Sequence, residues 1–114
     1  MSVALVGTNN LTIELDDDGY LRHLHDWSPD IAQQLAAQQQ LTLNAEHWAI
    51  INSIRRFYQQ YQRSPTTRVL LKYLAQQLGA EKASSIYVMS LFGDGTPAKT
   101  VARIAGLPKP TNCI

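Results

Sequence analysis

Two hydrophobic periods divide the chain. Near the start, Leu11, Ile13 and Leu15 alternate with Thr12 and Glu14, the period of a half-buried strand. Val3 to Val6 is a second short β-rich run, and Tyr20 to Leu24 has the composition of a returning strand. Asp16-Asp17-Asp18-Gly19 is turn chemistry, because aspartates bond their own backbone and glycine tolerates positive φ. A small antiparallel β-hairpin unit is expected over residues 1–25.

From Ser28 the period lengthens to three and four. Ser28-Pro29, Ser64-Pro65 and Thr96-Pro97 each pair a hydroxyl that can cap a helix with a proline that has no N–H to lose. They predict helices starting near 29, 65 and 97. The first puts Ile31 and Leu35 inward and runs to about Gln38. Asn44 is placed to cap another, whose stripe is Trp48, Ile51, Ile54, Tyr58 and Tyr61. Leu70, Leu71, Leu74 and Leu78 mark a helix that Gly79 can end. A further helix is expected over 81–92 with Ile86, Met89 and Leu91 or Phe92 buried, and the last runs from Pro97 to near Gly106. The fold class is therefore α+β: a β unit (1–25) on a helical body (28–105).

After Gly106 the chain reads Leu107-Pro108-Lys109-Pro110-Thr111-Asn112-Cys113-Ile114. Two prolines oppose a helix and favour an extended arm, 106–114, expected to be mobile. It bears the sole cysteine. Free cysteines are mostly buried small hydrophobes, but this position argues for exposure and hence for a working thiol. A thiol on an arm can enter another protein's cavity, accept sulfur and present it elsewhere, which requires thiolate character. Lys109, with Arg103 or Lys99 if the arm folds back, would favour the thiolate, and the Ile114 carboxylate would oppose it.

The net charge of +1 conceals a split. Residues 1–54 hold Arg22 against seven carboxylates, a balance of −6, and residues 55–114 hold nine cations against Glu81 and Asp94, a balance of +7. A basic half suits RNA or an acidic protein, although the cations are spread over several helices and form no dense run. Helices 65–78 and 81–92 resemble a helix-turn-helix, but the second offers few side chains that reach base edges. A nucleic-acid-binding or regulatory module is thus the competing reading.

Other classes are set aside. No apolar run approaches the roughly 20 residues of a membrane helix, the start lacks a signal-peptide pattern, and a single cysteine forms neither an internal disulfide nor a zinc cluster. A cytoplasmic setting is expected. His23 and His25, two apart on one strand face, and His47 at a helix start lack metal-ligand spacing and are expected to be partly exposed structural residues. Gly93-Asp94-Gly95 lacks the lysine of a P-loop. No metal or cofactor is expected.

Several stretches resemble one known family. Pro97-Ala98-Lys99, Ile104-Ala105-Gly106-Leu107-Pro108-Lys109-Pro110 and Cys113-Ile114 closely resemble the closing motif of the DsrC/TusE family of sulfur-carrier proteins. Gly19-Tyr20-Leu21, Trp27-Ser28, Glu46-His47-Trp48, Phe57-Tyr58, Ser64-Pro65 and Arg68 resemble its earlier segments in order. The resemblance implies a winged-helix-like body with a mobile arm, and a persulfide carried on Cys113. Relatives that partner sulfite reductase carry a second arm cysteine where this chain has Ala102, so the resemblance points to the TusE-like branch. Members of that branch take sulfur from a multisubunit relay complex and pass it to a tRNA thiouridylase, toward 2-thiolation of the wobble uridine. A role as a sulfite-reductase-associated subunit is the other family alternative. The segment Phe92 to Pro97 is one residue longer than the usual family form and lacks a proline after the phenylalanine, which alters the turn before the last helix.

Overall fold

The computed structural model of the protein describes residues 4–6 and 12–110. These form one two-stranded sheet and five α-helices: β1 (Ala4–Val6), β2 (Thr12–Glu14), α1 (Pro29–Ala37), α2 (Ala45–Tyr61), α3 (Thr67–Leu78), α4 (Ser85–Phe92) and α5 (Pro97–Ile104). The molecule is mostly helical. β1 and β2 are antiparallel, with Leu5 opposite Ile13. The alternation in β2 works as expected, since Ile13 and Leu15 are buried while Thr12 and Glu14 face solvent. The partner strand expected at Tyr20–Leu24 is reduced to one bridge, Leu15 to Leu21. Leu24–Asp26 instead turn as a 3-10 helix, which swings Trp27 toward the end of α5. His23 and His25 therefore lie at this turn rather than on a strand face, their rings 6.1 Å apart.

Local capping explains most helix starts. The Ser28 hydroxyl accepts from the Ile31 N–H, with Pro29 at the first helical position. Asn44 forms a reciprocal capping box with His47. Two expected caps differ. Ser64 does not cap α3. Thr66 does, accepting from the Val69 N–H, so the helix begins at Thr67. Thr96 precedes α5 without a side-chain bond, and the Thr67 hydroxyl accepts from the Ala98 N–H in its place. The helix expected over 81–92 is shorter. Residues 80–82 form a separate 3-10 turn, and Ser84 caps α4 through the Tyr87 N–H.

The core gathers around α5, which buries Pro97, Ala98, Thr100, Val101, Ala102 and Ile104 and meets α1, α2, α3 and α4. Ile50, Ile51 and Ile54 of α2 and Leu70 and Leu74 of α3 complete its surroundings. The expected stripe of α2 is rotated: Phe57 is buried and Tyr61 is 48% exposed. In α4, Val88 and Phe92 face inward, and Ile86 is 82% exposed rather than buried.

His47 is buried, not partly exposed. Its Nε2 lies 2.6 Å from the Leu91 carbonyl, so Nε2–H donates there, and Nδ1 accepts from the Asn44 N–H at 3.1 Å. The Leu91 carbonyl belongs to the last turn of α4, where no intrahelical donor remains. One imidazole thus caps the end of α4 and the start of α2. His47→Phe keeps an aromatic ring at the position but strips both bonds, and is expected to cost about 1–3 kcal/mol in urea denaturation. An unchanged midpoint would show that the bonds contribute nothing net.

Candidate functional site

The candidate site is the place where the arm leaves α5. A helix end leaves carbonyls without intrahelical donors, and this one lies inside the molecule. The chain supplies the donors from several elements. Leu107 N–H donates to the Ala102 carbonyl at 2.9 Å and Gly106 N–H to the Arg103 carbonyl at 3.2 Å, a Schellman arrangement with Gly106 at φ +73°. Trp27 Nε1 donates to the Ile104 carbonyl at 3.0 Å. The Arg55 guanidinium donates to the Ala105 carbonyl at 2.6 Å and lies 3.8 Å from the centre of the Trp27 ring. Four successive carbonyls, 102 to 105, are therefore satisfied. Desolvation pushes the Arg55 guanidinium below its ordinary pKa, yet arginine stays charged, and a charged donor on a helix C-terminus is favourable.

Glycine at 106 is required on two counts. Its φ is left-handed, and a Cβ there would overlap the Trp27 ring, with Cγ only 2.6 Å away. The chain then runs along the body. Leu107 is buried, the Ser64 hydroxyl donates to the Pro108 carbonyl at 2.6 Å, Lys109 Nζ donates to Asp18 Oδ2 at 3.1 Å, and Pro110 is buried. Pro108 and Lys109 form one wall of a cleft of about 390 Å³ whose other wall includes Asp16, Tyr20, Leu21 and Leu24. The first five arm residues, 106–110, are thus seated rather than free. Cys113 lies outside the described residues.

The three cations named with the cysteine are placed apart in their contacts. Lys109 pairs with Asp18, both exposed, an interaction of about 0–1 kcal/mol. Arg103 lies over the Tyr20 ring at 5.4 Å, beside Gly19, with its Nε buried and without a hydrogen-bond partner. Lys99 is half-buried, and its carbonyl accepts from the Tyr20 hydroxyl at 3.2 Å. Trp27, Arg55, Ser64 and Asp18 were not identified as site residues from the sequence. The signal that could have pointed to the cap is Gly106 followed by apolar Leu107 at a helix end. Among the described residues no three His, Cys, Asp or Glu residues stand together as a metal site, and no helix is long and apolar enough to cross a membrane.

Residues 7–114 match the family model described as DsrC like protein. The chain belongs to the DsrC-like family. It is 46% identical over 106 residues to a protein named sulfurtransferase TusE from Sodalis glossinidius, covering 93% of this chain and 97% of the relative. It is 48% identical over 102 residues to one of the same name from Photorhabdus laumondii, covering 90% and 91%. Among solved structures it is similar to Allochromatium vinosum DsrC, with a TM-score of 0.87 and 45% identity over 100% of both chains. It is also similar to the oxidized γ-subunit of dissimilatory sulfite reductase (DsrC) from Archaeoglobus fulgidus, with a TM-score of 0.81 and 34% identity over 98% and 100% of the two chains.

Gly106→Ala is expected to destabilise by about 1–3 kcal/mol from backbone strain alone, and by more from the Trp27 overlap. A double-mutant cycle with Trp27→Ala isolates the overlap, because the backbone strain at Gly106 is the same with and without the ring. Additive losses in thermal denaturation would mean that the Trp27 contact contributes nothing.

Proposed function

We propose that this chain is a sulfurtransferase of the TusE type that carries sulfur as a persulfide on Cys113. The Cys113 thiolate attacks the outer sulfur of a donor persulfide. A new S–S bond forms on Cys113, the donor's S–S bond breaks, and the donor leaves as a thiolate. An acceptor thiolate then takes the outer sulfur by the same exchange, so no external oxidant or reductant is consumed. The observation that carries this reading is the position of the sole cysteine, three residues beyond an arm base anchored by Ser64, Trp27 and Arg55. Covalent geometry keeps Cys113 within about 11 Å of Pro110, so any donor or acceptor must approach the body around that base.

In this reading the chain is one unit. The β unit (1–25) and a winged-helix-like body (28–105) hold the arm (106–114), and Lys109, Pro108, Pro110, Arg103 and Lys99 shape the base rather than react. The names of the TusE relatives, together with the closing motif, favour a place in a sulfur relay toward tRNA thiolation. The donor would be a multisubunit relay complex and the acceptor a tRNA thiouridylase, in a cytoplasmic setting. Ala102 in place of a second arm cysteine weighs against a sulfite-reductase role, because a disulfide within the arm cannot form.

Cys113→Ser is expected to abolish sulfur uptake while leaving the fold intact. Intact-mass spectrometry after incubation with a persulfide donor should show a gain of about 32 Da in the wild type, reversed by reductant. Uptake by the serine variant would refute the assignment.

A further inference from the structure

We propose that the groove between α2 and α3 is a docking surface for an acidic segment of a partner protein that carries a large apolar side chain. The inference goes beyond the carrier reading and needs no chemistry at Cys113. The groove has a volume of about 250 Å³, of the size of one or two side chains. Phe57 and Tyr73, both buried, form its apolar lining with their rings 5.3 Å apart. Tyr61, 48% exposed, and Val69, 40% exposed, present apolar surface at its edge, and Arg63 and Lys72 add cationic groups. Arg56 links the two helices by donating to the Gln77 side chain at 2.8 Å.

Charge selects the occupant. The stretch from Arg55 to Ala80 has no carboxylate, and two of its cations, Arg63 and Lys72, line the groove. Among the described residues the ion pairs are Arg22–Glu14 and Lys109–Asp18, so Arg63, Arg68 and Lys72 have no carboxylate partner among those residues. An occupant with negative charge would be steered to this face, and apolar side chains would remove Tyr61 and Val69 from water. A recessed apolar floor with cations around it fits the helix-in-groove mode. A single-stranded nucleic acid is less well matched, because such surfaces offer successive exposed rings for stacking. Here Tyr61 is exposed while Phe57 and Tyr73 are buried. Position supports the same conclusion: Arg63 immediately precedes Ser64, whose hydroxyl holds the arm at Pro108. A partner seated here stands beside the arm base.

The test is fluorescence anisotropy on the full chain with two labelled probes. One is an amphipathic peptide of about 14 residues, with leucine on one face and glutamate on the other. The second is an oligouridylate of similar charge. The wild type should bind the peptide, more weakly as salt rises. Val69→Asp and Lys72→Glu, both at exposed positions, should each weaken it by about tenfold or more. Ile86→Asp, at an exposed apolar position outside the groove, should leave binding unchanged, and circular dichroism checks that each variant folds. The proposal is overturned if the peptide does not bind, or if Val69→Asp and Lys72→Glu bind it like the wild type. It is also overturned if the oligouridylate binds more tightly and Tyr61→Ala abolishes that binding, which would make the groove a nucleic-acid site.

Discussion

A buried helix end is tolerable only if its carbonyls find donors, and the C-terminus of α5 is such an end. The donors come from the arm's own backbone, from Trp27 after the β unit and from Arg55 in α2. Each bond contributes about 0.5–1.5 kcal/mol net, and the charged one more. Their larger consequence is geometric. Two distant parts of the sequence converge here: Trp27 on the 104 carbonyl and on Gly106, and Arg55 on the 105 carbonyl. The direction in which the chain departs from α5 is therefore set by the whole body. The arm inherits that direction, and Ser64 and Asp18 continue it along the surface through Pro108 and Lys109.

This division of labour suits a carrier. The helical core gives a packed base, with α5 buried against four other helices, and the residue proposed to carry sulfur follows Pro110 by three positions. In the proposed reading the tether between the seated Pro110 and the cysteine is short, and a short tether lowers the entropy lost on productive encounter. The anchors are modest individually. Lys109–Asp18 is a solvent-exposed pair, so a partner can displace it at little cost, whereas the Trp27–Gly106 packing has no room to give.

The sequence revealed those features that depend on neighbours along the chain. Ser28 with Pro29, Asn44, and Gly79 after Leu78 mark helix ends by local hydrogen bonding, and the structure uses them so. The alternation in β2 also held. Tertiary bonds were not legible. Ser64 has the local signature of a cap, yet its hydroxyl serves Pro108, 44 residues away. Trp27 and Ile104 are 77 positions apart, and no local pattern links them. In α4 six of eight residues are apolar, so the period carries no phase and does not reveal that Ile86 faces out. His47 looked like an ordinary surface helix start, because its partner carbonyl, Leu91, comes from another helix. The family was the most legible part, since the closing motif pointed to it before any coordinates did and the family model matches residues 7–114.

The measurement that most directly tests the central claim compares two rates of sulfur loading onto Cys113 in Trp27→Phe. One uses a small-molecule persulfide and the other a purified protein persulfide donor. Trp27→Phe removes the donor to the Ile104 carbonyl and leaves the cysteine untouched. If the α5 cap sets where the arm is presented, loading by the small molecule stays at the wild-type rate and loading by the protein donor slows by about tenfold or more. Wild-type rates with both donors would contradict the account, because the arm would then work without the base that the fold builds for it.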